Sequence, residues 1–83
     1  MTGTVVHAAA MSTSQALAMA RADIHSAVNS DTDHRRTQYA LSARDNAATV
    51  LLEPGSTPIE RSYAEYYFVE ADTIIAQGPS TRV

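Results

Sequence analysis

One segment of this chain is bracketed at both ends by residues that start and stop helices. Thr57 is a good N-cap, and Pro58 follows at the first helical position, where its missing N–H has no partner to lose. Glu60, three residues after Thr57, completes a capping box. At the far end Gly78 can take the left-handed conformation that closes a helix, and Pro79 forbids continuation. The interval spells a helix over 58–77 that carries most of the aromatic side chains. A chain of 83 residues built around it has room for one domain, 1–83, and for few other long elements.

Two more helices follow from spacing. Leu17, Ala20, Ile24, Ala27 and Val28 recur on one stripe at helical intervals, which predicts a helix over 13–29. Ser12 or Ser14 can cap it, with Gln15 three residues after Ser12. The stripe also continues backwards through Ala10 and Val6. Residues 1–11 therefore read either as an extension of this helix from about Thr4 or as a flexible tail, and 79–83 read as a second tail. Asn29 to Asp33 is a run of turn and cap residues, so the next helix is expected over 31–52, capped by Ser30 or Asp31 and stopped by Pro54-Gly55. Short links make neighbours antiparallel. The expected fold is all-α, a three-helix antiparallel bundle or an open helical array.

Composition narrows the chemistry. There is no cysteine, so disulfides, thiolate metal sites and cysteine nucleophiles are excluded. The formal charge is −3, which argues against the basic footprint that nucleic-acid binding needs. No apolar run is long enough to span a bilayer. The first eleven residues lack the basic opening of a secretory leader, so a cytoplasmic location is expected. All six basic residues are arginine and alanine is abundant, which suggests a high-GC bacterial or phage genome.

Tests for catalytic and metal motifs fail. His25, Asp31, Asp33 and His34 gather near the first turn, but their spacing matches no metal-binding pattern, and cap and turn roles explain both aspartates. No Gly-x-Ser-x-Gly elbow and no glycine-rich phosphate loop is present; the three glycines all sit near termini or at helix breaks. No cofactor and no metal is expected, and the chain is not expected to be an enzyme.

The helix faces are more informative. On the third helix Ile59, Tyr63, Ala64, Tyr66, Tyr67, Phe68, Ala71, Ile74 and Ile75 cover roughly 200°, against about 100° for a helix facing a single core. On the second helix Tyr39 to Leu52 covers a similar width, with Ala40, Ala43 and Ala47 as a floor that lets another helix come close. Surplus apolar width on a small scaffold points to self-association or a permanent protein partner. Tyr63, Tyr66, Phe68 and Val69 are the expected interface residues, Val69 because it is an apolar residue on the polar side of its helix. Glu70, Arg44 and Arg36 fall inside apolar arcs, and a structural ion pair between Glu70 and one of the two arginines is the simplest way to bury them. The expected function is non-enzymatic protein–protein contact, as adaptor, assembly factor or inhibitor, in a homodimer or larger assembly. The alternatives are a small transcriptional regulator of antitoxin or phage-control type, and a virion or secretion-assembly subunit.

Overall fold

The computed structural model describes residues 12–78, which form three helices: α1 (Thr13–Val28), α2 (Asp33–Leu52) and α3 (Pro58–Gln77). The fold is all-α, as the periodicity predicts. The open question of where the first helix begins, and both proposed tails, lie outside the described residues.

Each helix starts where a hydroxyl takes up an orphan backbone N–H. Ser12 Oγ accepts from the Gln15 N–H at 3.0 Å, and the Gln15 side chain reaches back to the Ser12 N–H, so Ser12 rather than Ser14 is the cap. At α3 Thr57 Oγ1 accepts from the Glu60 N–H at 3.1 Å, while Glu60 Oε1 accepts from the Thr57 N–H at 2.9 Å. Gly78 ends α3 with φ of 59°, a conformation that suits glycine.

The start of α2 differs from expectation. Its N-cap is Thr32, whose Oγ1 accepts from the Arg35 N–H at 3.1 Å. Ser30 belongs instead to the end of α1, because its hydroxyl donates to the Ser26 carbonyl at 2.7 Å. Asp33 then sits in the first turn, where the positive end of the helix dipole favours a carboxylate.

Glu60 ties the capping box to the tertiary fold, since its other oxygen accepts from Thr13 Oγ1 of α1 at 3.2 Å. The Thr57 N–H holds the Glu60 carboxyl below its ordinary value of 4.5; desolvation opposes this, and the Thr13 and Thr57 hydroxyls add to it. A carboxyl whose pKa is lowered by folding contributes stability that is present above its unfolded pKa and lost as pH falls through the folded one. Glu60→Gln retains a neutral capping box. Its melting temperature is therefore expected to fall less than that of the parent between about pH 5 and about pH 3. Parallel slopes in a thermal melt series would contradict this role.

Contacts between helices set the topology. Asp23 of α1 accepts from Ser42 (2.7 Å) and Asn46 (3.1 Å) of α2. Arg44 of α2 meets Asp72 of α3, and Arg61 of α3 reaches the Leu51 carbonyl of α2. Low numbers on one helix meet high numbers on the next, so α1 and α2 are antiparallel, as are α2 and α3. It follows that α1 and α3 run the same way, and the Thr13–Glu60 bond joins their first turns.

The core is an alanine seam. Ala16, Ala20, Ala47, Val50 and Ala64 form one buried cluster; Ile24, Ala43 and Ala71 form a second. Of the ten buried apolar residues eight are alanine, and Val50 is the largest fully buried side chain. Alanine at each crossing brings helix axes towards the lower end of the usual 8–10 Å range, at about 8 Å. The bulk that fills the seam comes from half-buried residues at its edges: Leu17, Leu51, Tyr67, Phe68 and Ile74. Such a core buries little apolar area per residue, which leaves large side chains on the outside.

Candidate interaction surface

Because α2 lies behind both other helices, α1 and α3 meet over a shallow line and leave a groove between them. Its volume is about 440 Å³, and Ser14, Leu17, Ala18 and Arg21 of α1 face Tyr63 and Tyr67 of α3 across it. Tyr67 is the hinge of this surface. It is half-buried, packs against both core clusters, stacks on Tyr63 with ring centroids 6.4 Å apart, and meets Tyr66 edge to face at 5.5 Å. Both geometries are favoured aromatic contacts, so the three rings hold one another in place on the helix surface.

The outer part of α3 is apolar where a solvated helix is usually charged. Ile59 is 69% exposed, Tyr63 54%, Tyr66 57% and Val69 60%. Ile59, Tyr63, Tyr66 and Glu70 recur at helical spacing, so they form one stripe that borders the groove. Glu70 is its one charged member. Val69 lies farther round, on the side turned away from the core, with Ser62, Glu65 and Thr73 as neighbours.

The expected interface residues therefore separate. Tyr63, Tyr66 and Val69 are exposed. Phe68 is half-buried and packs against the first core cluster, so it props the interior and does not belong to the outer surface. It sits on the flank of α3 nearer α2, which the width of the apolar arc conceals. Ile59 is more exposed than any of them and joins the surface, as does the α1 contribution from Leu17, Ala18 and Arg21. The helical stripe of Leu17 reads as core from spacing alone; the groove between α1 and α3 exposes its edge.

The ion pairs are also redistributed. Arg44 meets Asp72 at 3.0 Å, and Arg36 meets Asp33 at 2.6 Å while also donating to the Ser30 carbonyl at 3.0 Å. Glu70 makes no ion pair among the described residues. The reason is angular. Asp72 projects on the α2 side of α3, and Glu70, two positions earlier, projects towards α1 and solvent. Both observed pairs are at least one-third exposed, so each contributes under about 1 kcal/mol.

One arginine does more than its sequence position suggests. Arg61 donates to the carbonyls of Leu51 and Glu53, both at 3.1 Å, and so caps the C-terminus of α2 from α3. Ser56 completes the joint: it is buried, and its hydroxyl donates to the Val50 carbonyl at 2.6 Å. With Arg36, Arg44 and Arg61 engaged, the exposed arginines of the described helices are Arg21 on α1 and Arg35 on α2, which make no basic stripe. Among the described residues no cluster of three histidine, cysteine, aspartate or glutamate side chains is placed to hold a metal. No described helix is long and apolar enough to cross a membrane. Comparison with protein-family models, curated proteins and solved structures found no match for this chain.

Proposed function

We propose that this chain is a non-enzymatic helical module that acts by protein–protein contact, and that the face shared by α1 and α3 is where it makes that contact. The observation that carries the reading is the exposed stripe of Ile59, Tyr63 and Tyr66 beside the groove. Tyrosine is enriched in the buried centres of interfaces, where its ring supplies area and its hydroxyl tolerates either water or a partner. The rings are already packed against one another, so little side-chain freedom is lost on docking. The module would work as an adaptor, an assembly factor or an inhibitor.

The test is a photo-crosslinking residue placed at Tyr66 in the full chain, expressed in the source cells. Discrete protein adducts are expected from that position. The same residue at Gln38, an exposed position on α2, serves as the background. Adducts at Tyr66 no stronger than those at Gln38 would remove the proposal.

A further inference from the structure

Resting on that reading, we infer that the occupant of the α1–α3 face is a second copy of this chain, docked in parallel about a two-fold axis so that Arg21 of each copy meets Glu70 of the other. Two charges on this face are unpaired among the described residues; Glu60, at its end, is tied to Thr13, and His25 follows Arg21 one turn later. Arg21 lines the groove from α1, and Glu70 lies on the α3 stripe with Tyr63 and Tyr66. Among the described residues neither makes an ion pair.

Their heights match. The Thr13–Glu60 bond fixes the level of the two first turns, and both helices run the same way from there. Arg21 lies eight residues beyond Thr13 and Glu70 ten beyond Glu60, about 12 Å and about 15 Å along their axes. The remaining offset of about 3 Å is well within the reach of an arginine side chain. One face thus carries a cation on one helix and an anion on the other at nearly the same height.

Such a face is complementary to itself under one symmetry operation. A two-fold axis lying in the face and parallel to the helices sets α1 of each copy on α3 of the other and preserves height. Arg21 then meets Glu70 twice, once on each side of the axis, as an isologous contact requires. A two-fold axis across the helices would instead set α1 on α1 and α3 on α3. Since Arg21 is near the middle of α1, that arrangement brings Arg21 towards Arg21 and Glu70 towards Glu70, which like-charge repulsion disfavours. The parallel arrangement turns two pairs of helices into a four-helix core, with Tyr63, Tyr66 and Leu17 inside it.

The area is near the threshold. The contact is limited by α1, 16 residues and about 24 Å long, so a face about two helices wide covers about 480 Å² per copy, close to the roughly 500 Å² per partner of a specific interface.

The test uses charge reversal and mixing with the full chain. Arg21→Glu and Glu70→Arg are each expected to weaken self-association on the order of 100-fold, because each puts like charges together at both contacts. Circular dichroism checks that each variant stays helical. Mixing the two variants should then restore a one-to-one dimer in sedimentation or light scattering, since both cross-contacts become attractive again. The double variant carrying both reversals should also self-associate. An Arg21–Glu70 pair within one chain would not be rescued by mixing, which separates the two explanations. Three results would overturn the inference: parent protein monomeric at every concentration, single variants with the parent mass, or single variants that stay monomeric when mixed. In the first case, adducts from position 66 to a different protein would leave the contact function standing and remove the second copy alone.

Discussion

Ala47→Leu is expected to lower the melting temperature by about 10–20 °C, the equivalent of about 2–3 kcal/mol in a domain of this size. Ala47 is fully buried in the first core cluster, facing Ala16 and Ala20 of α1 on one side and Ala64 of α3 on the other. Three added carbons have little room there, because Ala16, Ala20 and Ala64 are fully buried beside it and Val50, Leu17, Leu51, Tyr67 and Phe68 already fill the space around them. Either α2 moves away from both partners or the leucine takes a strained rotamer. Both loosen the seam that holds all three helices. Ala22 is the control: it is exposed on α1, and leucine there should leave the melt nearly unchanged. Equal melting temperatures for the two variants, measured by circular dichroism, would show that the seam is not tightly packed.

Arg61→Ala is expected to cost about 2 kcal/mol. Its guanidinium joins two carbonyls at the end of α2, so its removal strips charge-assisted hydrogen bonds from the negative end of the helix dipole. It also unlinks α3 from the turn that positions it. Arg61→Lys should recover less than half of the loss, because one ammonium cannot span carbonyls of Leu51 and Glu53 as a planar fork does. Urea denaturation reads both variants. A lysine variant as stable as the parent would reduce the role of Arg61 to its charge.

What could be read from the sequence depended on how local the signal was. The ends of α3 were legible because Thr57, Pro58, Glu60 and Gly78 act on the backbone within one turn of themselves. The start of α2 was harder. Ser30, Asp31, Thr32 and Asp33 can all cap a helix, and the choice of Thr32 depends on Ser30 being committed to the end of α1. The ion pairs needed a quantity that spacing does not contain, the rotation of one helix against another. Folding α2 onto α3 symmetrically about Gly55 sets Glu70 level with Ala40. The observed contacts depart from that register, by six residues for Arg44 with Asp72 and by two for Arg61 with Leu51, and the rotation of α3 aims Asp72, not Glu70, at α2. Phe68 was misplaced for the same reason. A wide apolar arc says that two sides of a helix are covered or await covering, and only the packing shows which side is which. The α1 wall of the groove was hidden because Leu17 sits on the edge of a stripe that otherwise belongs to the core.

The alanine seam and the exposed tyrosines are two results of one choice. Helices that approach closely through small residues leave their large residues at the margins, and the margin between α1 and α3 is open. The central claim is that a second copy of this chain covers it. Hydroxyl-radical footprinting of the purified full chain over a concentration series tests this at individual side chains. Labelling of Tyr63 and Tyr66 is expected to fall as concentration rises, while Tyr39, exposed on α2 and away from that face, keeps a constant level. Constant labelling of all three tyrosines across the series would contradict the account.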